Sequence, residues 1–147
     1  MFQLNIGRFA ALADFFKWYF LPRGESFPYV VWLRILQKIR GNAVSRIFLG
    51  PFVYLIFRHY EFKYGIHANA NIQIGAGLRV VHGEGVHLNC DRIGKNLTVY
   101  QGVTFGLLDG ERPVVGDGVT VYPNAVVVGG INVGDRAVVG ALSYVSK

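Results

Sequence analysis

The sequence predicts a mainly β protein: a parallel β-helix of about four coils, preceded by an α-helical N-terminal segment. Three observations point there. From Ala68 onward an aliphatic or small residue returns every six positions: Ala68, Ile74, Val80, Val86, then Ile93, Val99, Phe105, then Val115, Val121, Val127, Val133, Val139, Val145. Glycine is concentrated in the same stretch, with 4 of 19 before Gly65 and 15 from Gly65 onward. Charge runs the other way: residues 1–64 carry nine Lys/Arg against three Asp/Glu, and residues 65–147 carry six of each, so the net +6 belongs to the first segment. Two architectures therefore meet near Tyr64–Gly65, giving residues 1–64 as a basic, aromatic-rich helical segment and 65–147 as the repeat domain.

In the first segment, "FAALADFFKWYFL" reads as a helix ending at Pro22. "YVVWLRILQKIR" reads as a second, stopping at Gly41-Asn42, a plausible terminator. Ser45 is placed to cap a third, "RIFLGPFVYLIFRHYEF", which Gly50-Pro51 should kink or restart. The apolar run Ile47 to Phe57 is 11 residues long, and a bilayer needs about 20. Two roles stay open for these helices: packing on the repeat or on partner subunits, or contact with an anionic membrane surface. Basic residues interleaved with so many large apolar ones do not suit nucleic acid.

The repeat follows from period and residue size. A helix cannot hold a strict period of six with this much Gly and Val, whereas internal hexapeptides build a parallel β-helix. Each hexad gives one short strand and a corner, with the aliphatic residue pointing inward and small residues easing the turn. A second small or aliphatic position follows four residues on: Ile72, Leu78, Leu97, Val103, Val119, Ala125, Ile131, Ala137. The register slips by one residue within "VHLNCDR" and by four around "GLLDGERPV". Three hexads per coil then predict three columns: Val80, Val99, Val121, Val139; Val86, Phe105, Val127, Val145; and Ile74, Ile93, Val115, Val133.

The lone Cys90 allows no internal disulfide and reads as an inert, reduced thiol. The start, "MFQLNIGRFAALADFF", has no secretory-signal pattern, so a cytoplasmic location is expected. No Cys/His metal cluster, nucleotide fingerprint or nucleophile elbow is present, so neither a metal cofactor nor covalent catalysis is expected.

Residues 65–147 resemble the hexapeptide-repeat acyltransferases. "GIHANANIQIGAGLRVVHGEGVHL" and "VYQGVTFG" are similar to the serine acetyltransferase branch, which also holds many saccharide O-acetyltransferases of surface-polysaccharide pathways. The resemblance implies a left-handed β-helix, a homotrimer, and an O-acetyltransferase using acetyl-CoA as co-substrate. His82 lies where the resembling enzymes carry their catalytic histidine. The register puts it outward, above Gln101 and Pro123, and imidazole suits a general base that takes a hydroxyl proton near neutral pH. By motif position, Thr104, Gly106, Ala125, Gly140 and Ala141 match donor-binding residues. His67 and His87 flank the same region without an assigned task.

The departures shape the acceptor expectation. Serine acetyltransferases place an Asp before the Ile-His pair, where this chain has Gly65, and a loop histidine where it has Arg112. Glu84 or Asp91 is expected to orient His82 instead, with Glu84, Asp91 and Arg112 lining the acceptor site. These differences favour a saccharide hydroxyl, in a surface polysaccharide or its lipid-linked precursor, over serine. The basic helices would then sit peripherally at the inner membrane face. "GALSYVSK" lacks the Pro-rich closing segment of the family, which implies a differently formed donor site or a longer parent sequence. Serine O-acetylation feeding cysteine synthesis is the nearest alternative. A non-catalytic β-helical assembly or membrane-docking module is another.

Overall fold

The computed structural model describes residues 26–69 and 71–147. The helix expected over "FAALADFFKWYFL" lies outside them. Helix α1 (Phe27–Arg40) carries Pro28 in its first turn, where a missing N–H costs nothing. It buries Tyr29, Val30, Leu33 and Leu36. Helix α2 (Ala43–Phe48) is capped by Asn42, whose side chain accepts from the Val44 amide at 3.0 Å and the Ser45 amide at 3.4 Å. Asn42 thus replaces Ser45 as the cap, because the helix begins three residues earlier than the apolar pattern suggests. Helix α3 (Gly50–Tyr64) starts afresh at Gly50-Pro51 and buries Val53, Phe57 and Glu61. It ends at Gly65, whose φ of 61° is left-handed and whose amide returns to the Glu61 carbonyl. No helix among the described residues is long and apolar enough to cross a membrane.

Strands then follow three to a coil. The first coil holds β1 (Ile66–Ala68), β2 (Gln73–Ile74) and β3 (Arg79–Val80), and the second β4 (Val86–Leu88), β5 (Arg92–Ile93) and β6 (Thr98–Val99). The third holds β7 (Thr104–Gly106), β8 (Val114–Val115) and β9 (Thr120–Val121). The fourth holds β10 (Val126–Val128), β11 (Asn132–Val133) and β12 (Val138–Val139), and β13 (Tyr144–Val145) follows. All pairings are parallel and form three sheets: A (β1-β4-β7-β10-β13), B (β2-β5-β8-β11) and C (β3-β6-β9-β12). The fold is a parallel β-solenoid of about four turns behind a helical segment, as the hexad period predicts.

Two columns stand as expected: Ile74, Ile93, Val115, Val133 in sheet B and Val80, Val99, Val121, Val139 in sheet C. The sheet A column differs. Leu88, not Val86, pairs with Phe105, while Val86 pairs with Ile66. Both Val86 and Leu88 are fully buried, so the hexad count had chosen one of two inward residues two positions apart. The prism is packed by side chains with no exposure at all, including Leu97, Val99, Val103, Phe105, Val115, Val119 and Val121. Each contributes about 1.5–3 kcal/mol on burial.

The helices share this core. Arg34 crosses from α1 to the first coil and donates to the carbonyls of Ile74 (2.6 Å) and Gly75 (2.5 Å). Gln37 donates to Ile72 at 3.0 Å. The helical segment is thereby fixed over the coil that carries His82.

Candidate active site

Where sheet C turns into sheet A, six residues separate Val99 from Phe105 and Val121 from Val127. Eight separate Val80 from Leu88, the corresponding pair in the coil above. Hydrogen bonds locate the surplus. Gly102 donates to the Glu84 carbonyl (2.8 Å), Asn124 to Gln101 (3.0 Å) and Leu142 to Pro123 (3.0 Å). Glu84 therefore occupies the rung above Gln101 and Pro123. His82, expected there from the hexad count, belongs with Gly83 to a two-residue enlargement of the corner.

The helices hold that enlargement. Gly83 is buried, and a Cβ on it would lie 2.6 Å from the Tyr64 carbonyl oxygen and 2.9 Å from the Ser26 hydroxyl. Only glycine fits between the ends of α1 and α3. Val86 donates to the Gly65 carbonyl at 3.1 Å, closing the corner from below. A Cβ on Gly65 would stand 3.6 Å from the Glu84 Cα, so this position borders the corner. Its glycine is demanded by the left-handed helix end.

His82 and Glu84 are both exposed, and among the described residues no hydrogen bond joins them. Asp91 and Arg112 lie at a different corner, where sheet A turns into sheet B. Their charged groups are 3.7 Å apart, and with Asn69, Asn71, Ile72 and Cys90 they line a cleft of about 150 Å³. The Arg112 Nε is buried there without a partner. Within one chain the structure therefore groups Asp91 with Arg112, and His82 with Glu84. Burial pushes the neighbouring Cys90 thiol up, with Asp91 adding to the effect. The thiol is held protonated and poorly nucleophilic.

Of the donor-binding candidates, Thr104 faces outward on β7, and Gly106 ends that strand. Gly140 and Ala141 are exposed at the same edge as His82, Ala141 standing one coil past Pro123 on the rung that begins at Glu84. Ala125 faces inward. Its methyl is fully buried in the prism, and its carbonyl accepts from the Thr104 amide at 3.0 Å, so it offers no side chain to a ligand.

One group of titratable residues was not anticipated. His67 and His87 pair across β1 and β4 and stack with ring centroids 4.9 Å apart. His67 Nδ1 is 3.3 Å from an oxygen of buried Glu61, which also pairs with Arg58. Partial desolvation of this outward, largely exposed ring, then the His67 charge, pushes the His87 imidazole below its ordinary value. The signal was present as matching apolar-His-apolar triplets, "IHA" and "VHL", whose outward middle residues must meet once the strands pair. Among the described residues no group of three or more His, Cys, Asp and Glu is arranged to hold a metal ion.

No family model matches the chain. Curated relatives do. A serine acetyltransferase of Staphylococcus xylosus is 40% identical over 97 residues, 62% of this chain and 44% of that protein. One from Helicobacter pylori is 39% identical over 90 residues, 58% of this chain and 53% of that protein. The chain thus spans about half the length of the curated relatives it matches. Among solved structures, Entamoeba histolytica serine acetyltransferase isoform 3 in complex with cysteine superposes with a TM-score of 0.76 at 21% identity. It covers 95% of this chain and 54% of that one. Neisseria gonorrhoeae serine acetyltransferase in complex with serine gives 0.70 at 21%, covering 95% and 64%. These likenesses support the left-handed hexapeptide β-helix.

The relatives overturn the preference for a saccharide acceptor and a polysaccharide pathway. That preference rested on Gly65 and Arg112. Gly65 is set by the backbone at the end of α3, and Arg112 pairs with Asp91 at 3.7 Å.

Proposed function

We propose that this chain, serine acetyltransferase-like in sequence and fold, transfers an acetyl group from acetyl-CoA to the hydroxyl of serine. The 40% identity to a serine acetyltransferase over 97 residues is the observation that carries this reading. His82 is the general base. Its exposed imidazole, on a corner enlarged for it, takes the serine hydroxyl proton as the oxygen attacks the thioester carbonyl. The tetrahedral intermediate collapses by breaking the carbon–sulfur bond, and protonated His82 returns its proton to the departing thiolate. The products are O-acetylserine and CoA, which places the reaction upstream of cysteine formation. Thr104 and Gly106 on sheet A, with Gly140 and Ala141 three coils along the same edge, would form the wall along which CoA lies.

His82 and Arg112 stand at different corners of one prism. The site is therefore completed between neighbouring prisms of a homotrimer, with Arg112 and Asp91 of one chain facing His82 of the next. A cytoplasmic setting, where acetyl-CoA is made, belongs to the same reading.

Purified protein given acetyl-CoA and L-serine tests it, with free thiol followed and O-acetylserine identified by mass. Thiol release that needs serine supports the acceptor, and release unchanged by serine sinks it. A strictly monomeric active protein would remove the shared site.

A further inference from the structure

Helix α2 has an unusual position: it is apolar, yet none of its residues is buried. Ile47 is 67% exposed and Phe48 78%. The surface continues onto α3 through Phe52 at 64%, Leu55 at 68% and Phe62. At 3.6 residues per turn, Phe52, Leu55 and Phe62 fall on the side of α3 about half a turn from Val53, Phe57 and Glu61, which face the core. A continuous apolar face is thus turned away from the prism, and such a face marks an interaction surface.

Its charge selects the occupant. Exposed Arg46 lies on α2 and exposed Lys38 near the end of α1, with Arg40 bonded to Asn71, and Lys63 with half-exposed Arg58 lies on α3. Arg58 lies over the Phe62 ring at 4.5 Å. Across residues 26–64 the one acidic side chain is Glu61, which is buried and already paired with Arg58. A second copy docking through this face would set like charges against each other, because a two-fold contact presents the same patch twice. An anionic bilayer satisfies both halves of the pattern: aromatic and aliphatic side chains enter at headgroup depth while Lys and Arg meet lipid phosphates.

We propose that α2 and the outward side of α3 form a docking surface for an anionic membrane, holding the β-helix peripherally. This inference does not depend on the acetyl-transfer reading. Nothing in it concerns His82 or the corner that carries it.

Co-sedimentation of the full chain with phosphatidylglycerol-containing vesicles, against pure phosphatidylcholine vesicles, tests the surface. Binding should require the anionic lipid and be released by salt. Arg46→Glu should weaken it roughly fivefold or more, since each basic residue near such a surface contributes about that factor. The double variant Phe48→Ser, Phe52→Ser should weaken it by more than an order of magnitude, with thiol release in solution unchanged. Absent binding, or equal binding to neutral vesicles, overturns the proposal. So does a double variant that keeps vesicle binding but lowers either the mass of the assembly or the melting temperature. A lowered mass would assign the face to a second copy, and a lowered melting temperature to this chain's own residues.

Discussion

The Gly102 amide donates to the carbonyl oxygen of Glu84 at 2.8 Å, and this bond fixes the register of the corner that carries His82. Because Glu84 continues the rung, His82 and Gly83 are surplus to the hexad. A solenoid tolerates such an insertion at a corner, where no ladder hydrogen bond is lost, provided something supports the extra backbone. Here the ends of α1 and α3 do so through Gly83. The helices thus serve the site as well as the core.

Gly83→Ala should therefore destabilise the protein and disturb the site together. The new methyl would meet the Tyr64 carbonyl oxygen at 2.6 Å, a backbone atom that cannot rotate away. Overpacking of this kind costs about 1–3 kcal/mol. Thermal denaturation should show a lower midpoint, and thiol release should fall by more than the folded fraction does. An unchanged midpoint would mean that the corner and helices move apart freely.

His82→Ala should separate chemistry from stability. The imidazole is exposed, and no partner among the described residues is lost with it. The melting temperature should stay within error of wild type, while acetyl transfer falls by roughly 10²–10⁴-fold, the usual contribution of a positioned base. Retention of full rate would remove His82 from the mechanism.

How far the sequence could be read depends on what each residue answers to. Columns in sheets B and C were legible because inward aliphatics recur at a fixed spacing and nothing else competes there. The sheet A column was misread by two residues, since Val86 and Leu88 are both inward and only strand pairing chooses between them. His82 was singled out by resemblance and by its outward parity. Its true rung was hidden, because an insertion inside a corner leaves no mark on hydrophobic period. Gly65 misled for a related reason: the residue at a left-handed helix end is fixed by backbone geometry. The stacked pair of His67 and His87 needed the first two coils to be aligned before its neighbours could be named.

A ladder of aspartates should contribute measurably to the stack of coils. Asp117 Oδ1 accepts from the Lys95 amide at 2.7 Å, and Asp135 Oδ1 accepts from the Asp117 amide at 2.7 Å. Each carboxylate thus satisfies a corner N–H of the coil before it. Asp117→Ala should cost about 1 kcal/mol by denaturant titration, and Asp117→Asn, which keeps an acceptor oxygen, should cost less. Equal losses would show that charge, not the hydrogen bond, is what counts.

Phe105 is the largest side chain of the prism column and has no exposure. Its removal in Phe105→Ala leaves a void between Leu88 and Val127, its partners in the coils on either side. The expected loss is about 3–5 kcal/mol, with Phe105→Leu far milder. Urea midpoints for the two variants check the order. Near-equal values would mean that neighbouring coils collapse to fill the gap.

Acid sensitivity should trace in part to His87. Its imidazole sits below the ordinary value near 6.5, first through partial desolvation and then through the charge on His67. Glu61 and Arg58 stand on the far side of His67 and moderate that charge. A depressed histidine is neutral in the fold over a range where the unfolded chain already binds a proton. The unfolded state therefore takes up more protons there, and stability rises with pH across the window. The contribution is complete above about 6.5 and is lost as pH falls toward the lower folded value. His87→Asn removes the group and should flatten the difference between denaturant midpoints measured at pH 7.5 and pH 5.5. His67→Asn should relieve the second cause alone, bring the folded value closer to 6.5 and so make the acid loss smaller. If both variants keep the wild-type slope, the stacked pair does not govern the acid limb, and other groups must be sought.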